Sequence, residues 1–204
     1  MCEPNPGRVV VEPADIAPAD FYKLLNSCVV PRPIAWVSSV DDAGVVNLAP
    51  YSLFTVASSA PPIIVFVSLQ REKDSVRNAR NSGEFTVNVT SVAQLEAVNA
   101  TAETVPPEVD EATLAGVDME SGTLVRCPRV RDSVAALECR TVDVQHVGNS
   151  WLVFGEVLGI VTKEGSIDPM GLVPPERIEV LGKLGGPYWS GIGDVINQPR
   201  PDML

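Results

Sequence analysis

Residues 61–89 read Pro61-Pro-Ile-Ile-Val-Phe-Val-Ser68, then Leu-Gln, then Arg71-Glu-Lys-Asp-Ser-Val-Arg-Asn-Ala-Arg80, then Asn-Ser-Gly83 and Glu-Phe-Thr-Val-Asn-Val89. Ile63 to Ser68 is a short apolar run bounded by turn residues, the pattern of a buried strand. Asp74 to Asn81 follows as a short helix. Asp74 reads as its N-cap and Gly83 as its stop, since glycine takes the left-handed conformation that a helix end needs. Phe85 to Val89 then alternates apolar and polar residues, as expected for a strand with one face on a core and the other toward solvent or a partner. A strand, a helix opening on cations and a second strand therefore follow one another within thirty residues, counted roughly.

Working outward, the same valine-rich, turn-punctuated pattern predicts further strands. They lie near Ile34 to Val40, Val45 to Leu48, Ser52 to Ala57, Leu137 to His146 and Trp151 to Val161. Asp41-Asp42-Ala43-Gly44 reads as the hairpin turn joining the first two, which are then antiparallel neighbours. In Leu137 to His146 the apolar side changes phase, which predicts a β-bulge near Thr141. Gly155 and Gly159 mark bulges, tight barrel corners, or close approach of another backbone or a ligand. Pro18 to Leu25 and Val92 to Asn99 read as short helices. Residues 102–133 are irregular, and the chain ends in a loose tail from about residue 195. The expectation is one mainly β domain over residues 1–204, a β-barrel with a few short helices and a core over about 20–190.

Composition narrows the function. The 204 residues carry 15 Lys+Arg against 26 Asp+Glu, a formal charge of -11. Nucleic acid and anionic membrane surfaces are repelled by such a field, so neither is expected as a partner. Cysteines stand at 2, 28, 127 and 139, with no closely spaced pair, and His146 is the one histidine. Multi-His and Cys/His metal sites are excluded on that inventory. Met1 to Pro6 has no basic segment leading into an apolar one, and no apolar run is long enough to span a bilayer. A cytoplasmic chain with free thiols is the expectation.

Against this acidic background, four cations fall between residues 71 and 80: Arg71, Lys73, Arg77 and Arg80. A helix N-terminus offers unpaired N–H groups and partial positive charge, so the helix start together with Arg71 and Lys73 reads as an anion site. The same residues also read as a solvated, capped helix whose cations pair with neighbouring acids. A second candidate is Pro31-Arg32-Pro33-Ile34-Ala35-Trp36-Val37-Ser38-Ser39, and a third is Asn47-Leu48-Ala49-Pro50-Tyr51-Ser52. Pro33 lacks an N–H and Pro50 interrupts a strand pattern, so the ladder is expected to break near both and free backbone groups for a planar ligand. Trp36 and Ile34 equally read as core, and the prolines as turn-shaping residues.

Taken together, these segments are similar in order and spacing to the flavin reductase-like, FMN-binding split-barrel family, which includes flavoredoxin-like proteins. The motifs are those quoted above with Gly155-Glu-Val157, Asn99-Ala-Thr101, Pro128-Arg129-Val130, Leu137-Glu-Cys139 and Leu184-Gly-Gly186, so the resemblance covers about residues 20–190. It implies a Greek-key-like split barrel, paired as a homodimer, with FMN in a groove near the subunit interface. By the same resemblance Arg71, Lys73, Asp74 and Ser75, with Ser52 and Ser68, hold the phosphate. Ala35, Trp36, Val37 and the run Asn47, Leu48, Ala49 and Pro50 line the isoalloxazine, largely through backbone groups. The site read from charge and the site implied by the family coincide.

The activity implied is NAD(P)H-dependent flavin reduction, or electron transfer through bound FMN, in which the cofactor carries the electronics and no protein nucleophile is needed. One departure stands out. Family reductases often carry Gly-Asp-His before the strand ending in Gly-Glu-Val, where the His meets the nicotinamide; this chain has Gly148-Asn149-Ser150. His146 reads as a strand-end surface residue, which favours a flavoredoxin-like carrier or another donor. An FMN-storing or sensing module without turnover is a further reading, and a cofactor-free split-barrel protein binding some other anion is a third. Cys139 reads as a core thiol, Cys28 as a residue near the Pro31-Arg32 loop that could approach the flavin, and Glu156 as half of an ion pair with an unnamed partner.

Overall fold

The structure, a computed structural model, describes residues 7–198. The expectations made for Met1 to Pro6, for Cys2 and for the end of the tail lie outside the described residues. The chain runs α1 (Pro18–Cys28), β1 (Arg32–Pro33), β2 (Ala35–Val40), β3 (Val46–Tyr51), β4 (Phe54–Ser59), β5 (Pro62–Leu69), α2 (Asp74–Ser82) and β6 (Glu84–Val89). A 3-10 turn at Val92–Gln94 leads into α3 (Leu95–Ala100). Then come α4 (Glu111–Leu114), β7 (Met119–Glu120), β8 (Arg129–Val130), β9 (Ala135–Val147), β10 (Ser150–Thr162), α5 (Pro175–Ile178), β11 (Gly182–Lys183) and β12 (Trp189–Ser190).

Seven of these strands form one antiparallel sheet in the order β3-β2-β6-β9-β10-β5-β4. Its two edges, β3 and β4, are joined by Ser52 and Leu53 alone. So short a link brings opposite edges of the sheet together, which curls it into a barrel whose seam carries no ladder. Inside lie Val37, Tyr51, Ile64, Phe66, Phe85, Val87 and Val153, with Val76 and Ala79 of α2 packed on them. Tyr51 and Phe66 rings sit 4.8 Å apart, and Phe66 meets Phe85 edge-on at 5.3 Å. Outside the same strands a second cluster joins Ile34, Trp36 and Leu48 to Val98, Ala112, Val130 and Leu181. The alternation of β2 therefore feeds two cores, and Trp36, fully buried, donates its indole N–H to Thr101 Oγ1 at 2.9 Å.

Several expectations are corrected in detail. Pro50 does not break the ladder: it lies inside β3 opposite Trp36, on an edge strand where a missing N–H removes no sheet hydrogen bond. The polar face of β6 meets neither solvent nor a partner. Thr86 and Asn88 are fully buried, and Asn88 binds the Trp36 carbonyl and the Val130 amide under the chain's own 119–130 segment. The 102–133 segment contains α4 and the β7-β8 pair rather than irregular chain alone. Asp74 is the first residue of α2, whose N-cap is Lys73; Gly83 does end it, at φ 74°.

The predicted bulge is present, because the β9-β10 register skips Val142 between Thr141 and Asp143 and skips Leu158 on the other strand. Gly155 and Gly159 each follow one of these register shifts, as expected of bulge positions, and the close neighbour at Gly155 is a side chain rather than a backbone or a ligand. A Cβ there would come within 2.4 Å of the Phe85 ring.

Candidate functional site

Between the start of α2, strand β3 and the segment 102–105 lies a cleft lined by Asn47, Ala49, Pro50, Tyr51, Arg71, Lys73, Asp74, Ser75 and Glu111. Its position follows from local structure. Strand β5 ends at Leu69, Gln70 takes a left-handed φ of 68°, and its N–H reaches the Asn149 carbonyl in the β9-β10 turn at 2.7 Å. That kink turns the chain into Arg71-Glu72-Lys73 and then α2. No side chain caps the helix, and among the described residues the amides of Lys73, Asp74 and Ser75 donate to no protein acceptor. Unpaired N–H groups at a helix start are donors for an anion.

The four cations divide. Arg77 is paired with Asp74 at 2.6 Å, and Arg80 with Glu72 while lying over the Trp151 ring. Arg71 and Lys73 have no carboxylate partner among the described residues; Arg71 reaches only Thr104 Oγ1, at 3.5 Å, and Lys73 sits 5.9 Å from the Tyr51 ring centre. The paired, solvated-helix reading thus describes Arg77 and Arg80 and does not extend to Arg71 and Lys73. Burial, with the Arg71 charge beside it, holds the Lys73 ammonium below its usual pKa, a strain that an arriving anion relieves. The Tyr51 hydroxyl is buried near Ser68 and Ser75 without a hydrogen bond of good geometry, and desolvation pushes its pKa up to about 12.

Opposite the cations, Glu111 from α4 is buried against β3. Its carboxylate accepts from Asn47 Nδ2 at 2.7 Å and from the outward Leu48 amide at 3.2 Å. Asn47 Oδ1 in turn accepts the Ser75 hydroxyl at 2.5 Å. Desolvation raises the Glu111 pKa above the usual carboxylate value.

Past Pro50 and Ala102 the cleft continues into a less polar lobe lined also by Ile34, Ser52, Asn99, Lys183 and Trp189. Lys183 sits 4.0 Å over the Trp189 ring. Ser52 additionally receives a long contact from Arg32, whose buried guanidinium otherwise binds the Asn26, Val29 and Leu184 carbonyls.

Of the residues picked out from sequence, Asn47, Ala49, Pro50, Arg71, Lys73, Asp74 and Ser75 line the cationic part of this cleft, and Ser52 the apolar lobe. Ser68 is buried in β5 beside Tyr51. Ala35, Trp36 and Val37 are fully buried and paired on both sides, to β3 and to β6, so the structure does not place them on the cleft wall; Leu48 is buried likewise. Glu111, Thr104, Lys183 and Trp189 were not picked out. Asn99 and the approach to Lys183 lay within quoted motifs, whereas Glu111 carried no signal of its own. Cys28 is exposed, Cys127 and Cys139 are buried, and Glu156 pairs with Arg140 across the β9-β10 ladder at 2.5 Å. No group of His, Cys, Asp and Glu arranged to hold a metal ion occurs among the described residues.

An antiparallel sheet closed on itself without a ladder at its seam, with a helix start and free cations at one corner, defines a split barrel. The model of the flavin reductase like domain matches residues 27–174, and the chain belongs to that family. Among solved structures, nitrilotriacetate monooxygenase component B from Bacillus cereus superposes with a TM-score of 0.91 at 28% identity, covering 95% of this chain and 100% of that one. The Pseudomonas fluorescens 2-nitrobenzoate 2-nitroreductase NbaA gives 0.86 at 27% identity, over 96% and 98%. Flavoredoxin of Desulfovibrio vulgaris, at 18% identity and a TM-score of 0.76 over 86% and 94%, shares the fold. By sequence, an uncharacterized protein of Aquifex aeolicus is 36% identical over 173 residues, 83% of this chain and 88% of its own length.

Proposed function

We propose that the chain is an FMN-dependent oxidoreductase of the flavin reductase type, reduced by NAD(P)H and acting as a homodimer. The observation that carries this is the match between the cleft and the cofactor. Arg71, Lys73 and three free amides stand at one end, and an apolar lobe edged by Trp189 lies at the other. Arg71, Lys73 and the amides of Lys73 to Ser75 would hold the phosphate, with Asn47, Ala49 and Pro50 leading toward the flavin ring. Bound FMN supplies two-electron chemistry at its ring system. The chain's own task is to fix that ring against β3 and to shield it from water with the 102–105 segment and Trp189. The family membership and the similarity to the Bacillus cereus monooxygenase component and the Pseudomonas fluorescens nitroreductase support the oxidoreductase class.

A second reading, an electron carrier that is not reduced directly by nicotinamide, is favoured by one observation. The turn facing Gln70 is Gly148-Asn149-Ser150, and the one histidine, His146, is exposed and packed on Trp151 at 4.5 Å rather than on the cleft. Stopped-flow bleaching of the FMN-loaded protein by NADH and by NADPH separates the two. Replacing Arg71 and Lys73 by Ala should weaken FMN binding by about 1.5–3 kcal/mol for each charge-assisted contact and leave riboflavin binding nearly unchanged. Equal losses for both ligands would remove the phosphate clamp from the proposal.

A further inference from the structure

The chain Glu111–Asn47–Ser75 crosses three elements that meet only in the folded protein, α4, β3 and the first turn of α2, and all three side chains line the cationic end of the cleft. Its hydrogen bonds admit two arrangements. As found, Asn47 gives its NH2 to the Glu111 carboxylate at 2.7 Å and takes the Ser75 proton on Oδ1 at 2.5 Å. Ser75 then turns only lone pairs toward the cleft, and an anion, itself all acceptor, gains nothing from it. In the alternative the amide is rotated by half a turn. Asn47 Oδ1 then faces the Glu111 oxygen, which demands a proton on Glu111, while Asn47 Nδ2 donates to Ser75 Oγ and releases the hydroxyl proton to point into the cleft. The orientation of a side-chain amide is set by its hydrogen-bond partners, so the protonation of Glu111 chooses between the two.

We propose that Glu111 is a positioning residue that, through the Asn47 amide, decides whether Ser75 offers a lone pair or a proton to an anion between Arg71 and Lys73, so that anion binding takes up one proton at Glu111. The inference rests on the anion-site reading above and adds a proton to it. Every element around Glu111 bears on its charge. Desolvation and Asp74 on α2 favour the protonated form, the hydrogen bonds from the Glu111 and Leu48 amides and from Asn47 favour the carboxylate, and Arg71, Lys73 and Glu103 line the same cleft, with Asp110 adjoining in the chain. Desolvation of the carboxyl already biases it toward its proton. The rest of the network is fixed: Ser39 Oγ lies 3.4 Å from Asn47 Oδ1 and receives Asn78 Nδ2 at 3.3 Å, so Ser39 can donate or accept as the amide turns.

The test uses the full chain and inorganic sulfate, a dianion that does not titrate over the range used, with binding read from the thermal midpoint and by calorimetry in buffers of different ionisation enthalpy. Wild-type affinity should rise as pH falls from about 8 to about 5, by up to about tenfold per pH unit where one proton is taken up. Glu111→Gln should flatten that profile. Ser75→Ala should weaken sulfate binding several-fold at about pH 5 and leave it unchanged at about pH 8, where the wild-type hydroxyl is already committed to Asn47. That dependence on pH is what a merely structural or purely Coulombic role of Glu111 does not produce. A wild-type profile without slope overturns the proposal, as does a Ser75→Ala penalty equal at both ends, and neither needs the Glu111 variant to fold. Sulfate bound without pH dependence and weakened by Arg71→Ala leaves the anion site standing and removes only the proton linkage. Failure to bind sulfate or FMN at any pH removes both.

Discussion

Lys73 shows how a single charge serves the site before any ligand arrives. Its ammonium lines the cleft beside Arg71, and partial desolvation and that neighbouring charge both favour loss of its proton. A base whose folded pKa is depressed destabilises the fold while both folded and unfolded chains are protonated, and this penalty disappears as pH rises through the folded value toward the ordinary one. A bound dianion has the opposite preference and is held best by the protonated lysine. The contribution of Lys73 to FMN affinity should therefore be level through neutrality and fall as pH climbs past the depressed Lys73 value. Lys73→Arg should remove the fall, since guanidinium keeps its proton throughout. Fluorescence titration of FMN from about pH 7 to about pH 10 reads this directly; identical profiles for lysine and arginine would place the titrating group elsewhere. The buried thiols are of the opposite kind. Desolvation raises the Cys127 pKa to about 12 and raises that of Cys139 as well, so both stay protonated and unreactive at neutral pH.

At the scale of elements, the packing of β10 on β6 turns on one missing methyl group. The Phe85 ring fills the space over Gly155, and an added Cβ would stand 2.4 Å from Phe85 Cζ and 3.1 Å from Cys139 Cβ, in a core where neither can retreat to solvent. Gly155→Ala should lower unfolding stability by about 1–3 kcal/mol in a urea titration. Adding Phe85→Leu should recover part of the loss, and additive losses would show that the ring is not the obstacle. This contact also marks how far sequence reasoning reaches. The strand periods, the left-handed stop at Gly83 and the phase change at Thr141 are local, and each is legible within a few residues. Pro50 misled because edge and central strands look alike until the sheet order is known. Glu111 was invisible for a related reason. One acid among several in the stretch 103–111, beside Glu108 and Asp110, acquires meaning only when α4 is laid against Asn47, sixty-four residues away. Lys183 and Trp189 sit on two-residue strands too short to show any period.

For the molecule as a whole, the bulges have a consequence for assembly. The residues left out of the β9-β10 register are Val142 and Leu158, and these apolar side chains are turned outward, 53% and 41% exposed, with Ile160 nearby on β10 at 61%. The edge strand β4 exposes Val56 at 70% and has no partner on its open side among the described residues. Extruded apolar residues and an uncovered sheet edge are features that soluble chains bury or protect. A net charge of -11 opposes random association, so any association must be specific enough to gain more from apolar burial than it loses to repulsion. The homodimer proposed above meets that condition if these strands form its interface. Sedimentation equilibrium should then give twice the 21.8 kDa chain mass, more firmly as salt screens the repulsion. Leu158→Glu with Ile160→Glu should shift the chain to monomer while leaving its circular dichroism unchanged, because both side chains are exposed and support no core within the subunit. If the cleft is completed across that interface, the same variant loses FMN affinity along with dimerisation. A variant that stays dimeric puts the interface on another face of the barrel, and one that turns monomeric with full FMN affinity shows each subunit's cleft to be sufficient alone.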